Sequence, residues 1–176
     1  MTKSFSSRVM NTSNVMSDSQ TTLVLIGCGS SKRESREYSF QLYDSDYFAK
    51  KVAYAVTIGE PAILSAEHGV VYFDEKLDHY DTHINDLTDD ELLQWVENVS
   101  EELLTRQPDE LVLLIPQNYI NPLSDTFSEL RDRGTTIVTP FDETSGIGEQ
   151  YELLDNRVQE QRTERSNPTS SAMELF

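Results

Sequence analysis

Two short segments concentrate the residue types that do chemistry. Gly27-Cys28-Gly29-Ser30-Ser31-Lys32 is a run of small residues closed by a cation. Such a loop can turn several backbone N–H groups toward an anion while a lysine supplies the countercharge. Gly29, Ser30, Ser31 and Lys32 are therefore candidate ligands for a phosphate or carboxylate. The spacing matches neither the P-loop nor the dinucleotide-binding glycine pattern, and a plain tight turn is the alternative. Cys28, the one cysteine of the chain, is a candidate nucleophile whose thiolate Lys32 would favour. Against that, an unpaired cysteine commonly packs as a small hydrophobe.

The second segment is Ser65-Ala66-Glu67-His68-Gly69. An imidazole titrates at roughly 6.5, so His68 is the candidate general acid or base, with Asp81 assisting. A histidine that only caps backbone groups is the competing reading. His79 and His83 carry a His-x-x-x-His spacing that suits zinc only on a helix, and their irregular context supplies none. No metal and no cofactor is assigned. Gly146 and Gly148, just before Glu149, resemble an anion-binding turn at a helix start, although Glu149 would itself oppose an anion there and instead offers a carboxylate to a sugar or base. Tyr43, Ser45 and Ser65 complete the ligand-binding candidates.

These segments need rigid elements to hold them. Leu23-Val24-Leu25-Ile26 is an uninterrupted apolar run ending at Gly27, the pattern of a parallel strand buried on both faces. Ser45 is placed to cap a helix with apolar residues at helical spacing from Tyr47 to Val56, ending at Gly59. Pro61 to Leu64 reads as a second strand, and Val70 to Leu87 as a long connection of the kind that is functional or poorly ordered. Asp89-Asp90-Glu91 opens a second helix carrying Leu92, Trp95, Val99 and Leu103 on one face. A third strand over Leu111 to Pro116, a helix over Pro122 to Arg133, a fourth strand over Thr135 to Thr139 and a helix from Glu149 to Arg157 follow. Strand and helix alternating four times predict a three-layer αβα domain on a mainly parallel sheet of about four strands. In such sheets ligands collect at the carboxyl ends of the strands, where all three motifs lie. The domain is expected to span 23–158, after a disordered leader (1–22) and before a mostly disordered polar tail (159–176).

Acidic residues outnumber basic ones 31 to 14, for a net charge of −17. Such a field repels nucleic acid and anionic membranes, except in molar salt, where the Debye length shrinks to about 3 Å and a local basic patch can still bind a polyanion. The composition reads as adaptation to a salt-rich cytoplasm, with an acidic binding protein or nucleic-acid mimic as the alternative. A single cysteine excludes an internal disulfide. The longest apolar runs fall far short of the about 20 residues that cross a bilayer, so no membrane is expected as a partner.

The motifs also carry a resemblance. Leu25 to Lys32, then Leu42-Tyr43-x-Ser45-x-x-Phe48, Ile63 to Gly69, Tyr80-Asp81 and Gly146-Ile147-Gly148-Glu149-Gln150 look like an uncharacterised domain family of bacteria, archaea and their viruses, with coverage from Leu23 to Val158. More faintly, Cys28-x-x-x-Lys32 followed by Ser45-x-x-Phe48 is similar to the Cys-x-x-x-Lys-Pro-Tyr and Ser-x-x-His pattern of archaeosine synthase, whose domain resembles the uracil-DNA glycosylase fold. Here Arg33 stands in place of the proline and Phe48 in place of the histidine. The resemblance implies nucleotide, modified-nucleobase or nucleic-acid chemistry. The small-molecule partner expected is a nucleotide or nucleobase, bound either by an enzyme or by a non-catalytic sensing module.

Overall fold

The structure, a computed structural model, describes residues 20–27, 37–38, 45–77 and 82–166. It is a three-layer αβα arrangement around a five-stranded sheet. The first strand, β1 (Thr22–Gly27), is flanked by β3 (Glu60–Ser65) and β6 (Glu110–Leu114), and both pair with it in parallel. Outside β6 lies the parallel strand β7 (Thr136–Val138), and outside β3 the antiparallel strand β4 (Gly69–Tyr72). Two short strands, β2 (Glu37–Tyr38) and β5 (Lys76–Leu77), pair separately as an antiparallel ribbon.

The uninterrupted apolar runs of β1, β3 and β6 follow from burial on both faces. Alternate residues of one strand serve opposite layers. Leu23 and Leu25 of β1 join a core with Trp95, Val99 and Leu103 of helix α2 (Asp89–Arg106) and Phe127 and Leu130 of α4 (Ser124–Asp132). Val24 and Ile26 point the other way, to Phe48, Tyr54 and Ala55 of α1 (Asp46–Ile58) and Leu154 of α5 (Ile147–Ser166). A short helix, α3 (Gln117–Ile120), leads from β6 toward α4.

Local chemistry sets the helix ends. The Ser45 hydroxyl oxygen accepts the Phe48 N–H at 3.1 Å and caps α1. Thr88 and Glu91 form a reciprocal capping box at the start of α2, with Asp89 and Asp90 in its first turn. That helix stops at Gln107, which adopts a left-handed conformation directly before Pro108.

Three expectations change. The sheet has a fifth strand, because part of the stretch read as a connection, Gly69 to Tyr72, turns back antiparallel on β3. The connection continues through β5 and a short 3-10 turn at Ile84–Asp86. The last helix begins at Ile147 and runs to Ser166 instead of ending near Arg157, since its distal turns are rich in Glu, Gln and Arg, good helix formers that show no apolar stripe.

Candidate functional site

The chain order fixes where a crevice must open. From β1 the chain moves outward to β3 and β4 on one side, then returns across the sheet to β6 and moves outward to β7 on the other. Helix α1 covers one face and helices α2 and α4 the other. The direction of winding therefore reverses between β1 and β6, and the carboxyl ends of those strands diverge into a crevice. Gly27 ends β1 there, against β6: a Cβ at this position would lie 3.0 Å from Pro116 Cδ, so a larger residue would have to push the Pro116 ring aside by a few tenths of an ångström.

A cleft of about 270 Å³ occupies this place. Its wall is made by Leu113 to Gln117 at the end of β6, Thr139 and Asp142 after β7, Tyr47 and Lys51 of α1, and Gln150 of α5. Lys51 is 4% exposed, yet it is a lysine on the apolar side of its helix. Its ammonium donates to the Gly27 carbonyl at 3.0 Å and sits 4.4 Å from the centre of the Tyr47 ring. Burying an ammonium costs several kcal/mol unless hydrogen bonds, a π face or an anion compensate it, and the Gly27 carbonyl and the Tyr47 face supply two such contacts here. The Tyr47 ring also stacks on Tyr151 (5.3 Å) and Phe141 (6.3 Å), and its hydroxyl donates to Gln150 Oε1. Burial, and then the neighbouring Tyr151, pushes the Tyr47 phenol up to about 12.

His68 lies elsewhere on the same edge. It lines a cleft of about 600 Å³ with Glu67, Thr82, Asp86, Glu91 and Trp95, on the face covered by α2. The turn that carries it is firmly held. Ser65 is fully buried, and its hydroxyl oxygen accepts the Glu67 and His68 N–H groups, both at 3.1 Å. Its carbonyl accepts the Trp95 indole N–H at 2.8 Å. Gly69 closes the turn at a φ of +72°, a conformation that suits glycine. His68 and Glu67 thus stand exposed at the rim of a rigid turn, and Glu67 accepts the Thr82 hydroxyl.

The late glycine turn takes a third position. Gly146 and Gly148 are exposed with open space around them. Glu149 is turned back on Ser145, whose N–H and hydroxyl each donate to it at 2.8 Å. Those bonds, the backbone one first, hold its carboxyl below the usual range. Glu149 thus serves the start of its own helix, and the residue after it, Gln150, reaches the Lys51 cleft. Ser45 caps α1, and Ser65 is an internal acceptor in its turn.

Cys28, Gly29, Ser30, Ser31, Lys32, Tyr43 and Asp81 lie outside the described residues, as does His79. The clefts of Lys51 and His68 share no described lining residue. Among the described residues, no group of three or more His, Cys, Asp or Glu side chains comes together as a metal site, and no helix is long and apolar enough to cross a membrane. Lys51 and Gln117 are absent from the residues singled out by sequence. Lys51 had a readable signal, since Phe48, Lys51 and Ala55 fall at i, i+3 and i+7 and put a cation into an apolar stripe.

The profile of a family of unknown function, DUF6884, matches residues 23–156, more than half of the 176-residue chain. No curated protein and no solved structure matches. The fainter likeness to archaeosine synthase therefore rests on its motif residues alone.

Proposed function

We propose that this chain, which belongs to the family of unknown function DUF6884, is an enzyme that takes a nucleotide or modified nucleobase, free or within nucleic acid, at the carboxyl edge of its parallel strands. One observation carries the reading: the buried Lys51 ammonium, bonded to the last residue of β1, lines a cleft of mixed polar and apolar walls at the point where the winding of the sheet reverses. In this reading Lys51 joins Gly29, Ser30, Ser31 and Lys32 in receiving an anionic group, since Cys28 follows Gly27 directly. His68 moves a proton, with Cys28 or Asp81 assisting. The acidic surface belongs to a salt-rich cytoplasm, where screening also permits a nucleic-acid partner.

A second reading, a module that binds such a ligand without transforming it, is favoured by the separation of His68 from the Lys51 cleft. Mass spectrometry of small molecules retained by the full chain, purified in high salt, tests both. Recovery of a nucleotide or nucleobase that the wild type converts and His68→Ala holds unchanged supports the enzyme. Recovery of a ligand that wild type and His68→Ala both return unaltered supports the module. Retention of neither a nucleotide nor a base, with no binding on direct addition, ends both.

A further inference from the structure

Helix α2 turns one line of side chains into the larger cleft, the one that His68 lines. Glu91, Gln94 and Asn98 fall at i, i+3 and i+7, and all three contribute to its wall. Glu91 is committed to the helix cap, since its carboxylate accepts the Thr88 N–H at 2.9 Å. Gln94 and Asn98 are bonded to each other: the Gln94 amide nitrogen donates to Asn98 Oδ1 at 3.1 Å. That bond sets which way each amide faces. Gln94 Oε1, an acceptor, and Asn98 Nδ2, a donor, are left without a partner among the described residues.

The fold itself asks for neither amide. Asn98 is exposed in the interior of an 18-residue helix, where alanine would be the better residue, and the bond to Gln94 returns only part of the difference. The same cleft is lined by the apolar Ala66 and Leu87 and by the buried Trp95. Its volume, about 600 Å³, lies within the ~300–1,000 Å³ usual for small-molecule sites, which combine apolar walls with a few placed polar groups. An acceptor beside a donor is the complement of a nucleobase edge, on which an N–H or amino group adjoins a carbonyl or ring nitrogen. A fully ionised phosphate offers acceptors alone and matches only the Asn98 half.

We infer that Gln94 and Asn98 read the hydrogen-bonding edge of a nucleobase seated in the His68 cleft. The inference rests on reading the carboxyl edge of the sheet as a nucleotide or nucleobase site, and it assigns the base to the α2 side of that edge. β3, which delivers His68, is the neighbour of β1, so the ends of the two strands are one spacing, about 4.8 Å, apart. A base in this cleft and an anionic group near Gly27 can therefore belong to one ligand.

Calorimetric titration of the full chain in high salt tests it. The probes are the common nucleosides and their monophosphates, the same nucleosides methylated at the nitrogen of the pairing edge, and ribose phosphate. At least one nucleoside should bind roughly tenfold or more tighter than its methylated analogue, which loses a donor and leaves the Gln94 acceptor unmatched. Gln94→Ala and Asn98→Ala, at exposed helix positions that favour alanine, should fold as wild type does and lose several-fold in nucleoside affinity. They should also bind nucleoside and methylated analogue nearly alike, whereas a purely structural role would weaken both probes together and leave their ratio intact. Variants that keep the wild-type ratio overturn the inference, as does a wild type that binds the methylated analogue equally well; nucleotide binding in either case spares the proposed function. Ribose phosphate that binds as tightly as every monophosphate puts recognition on the anion and overturns the inference alone. Silence from every probe removes both.

Discussion

Trp95 and Ser65 tie helix α2 to the end of strand β3: the buried indole N–H donates to the Ser65 carbonyl at 2.8 Å, while the Ser65 hydroxyl accepts the His68 N–H at 3.1 Å. The turn that presents His68 is thus set from inside the core. Trp95→Phe leaves a fully buried carbonyl without its donor, which costs about 1–3 kcal/mol. Chemical denaturation should show that loss, and hydrogen exchange should quicken at the Glu67 and His68 amides. A stability change with no change in exchange at those two amides would mean the bond does not hold the turn.

Tyr47 provides a pH signature for the wall of the Lys51 cleft. Its phenol is raised from 10.0 to about 12, by burial first and by Tyr151 second. The folded chain therefore keeps a proton that the unfolded chain releases. The resulting contribution is fully present below pH 10.0 and is lost as pH rises through about 12. The stability advantage of wild type over Tyr47→Phe should shrink steadily across that window. Denaturation at a series of alkaline pH values measures it, and a gap that stays constant refutes the assignment.

Two glycines separate steric need from backbone need. At Gly59 a Cβ would stand 2.5 Å from the Thr22 carbonyl oxygen and 2.8 Å from its Cγ2, although the backbone there is extended. Gly59→Ala should cost about 1–3 kcal/mol by forcing the start of β1 away from the end of α1. At Gly134 nothing lies within 4 Å, but φ is +101°. Gly134→Ala should cost about 1 kcal/mol through conformation alone. Equal thermal shifts for the two variants would contradict the steric account of Gly59.

A net charge of −17 makes the compact state self-repelling at low ionic strength. Raising KCl from about 0.1 M to about 2 M shortens the Debye length from about 10 Å to below 3 Å, so the melting temperature should climb by several degrees. A flat or falling melting curve over that range would separate the acidic surface from salt adaptation.

The buried parallel strands were legible because each is an unbroken apolar run ending in a small or turn-forming residue: Leu23 to Ile26 before Gly27, Ala62 to Leu64 before Ser65. β4 was not, because Gly69 to Tyr72 has only four residues and an alternating pattern, and Val70 and Tyr72 are only partly buried. Its pairing depends on the turn at Ser65, which is stabilised by Trp95 from thirty positions away. The site was half legible. The motif Ser65 to Gly69 could be found from residue types, whereas Lys51 required knowing that α1 lays its apolar stripe against the end of β1. Of the three segments expected at one sheet edge, Lys32 lies outside the described residues, His68 lines the cleft under α2, and Glu149 turns back on Ser145, a local bond that residue types alone do not reveal.

The most direct test of the central claim is a crystal structure of the full chain with whatever small molecule survives purification in high salt. Density should fill the cleft between the ends of β1 and β6, with an anionic oxygen in hydrogen-bond reach of Lys51 Nζ. A ligand seated at the opposite edge of the sheet, beside Arg106 and Glu60, with the Lys51 cleft holding only water, would contradict it.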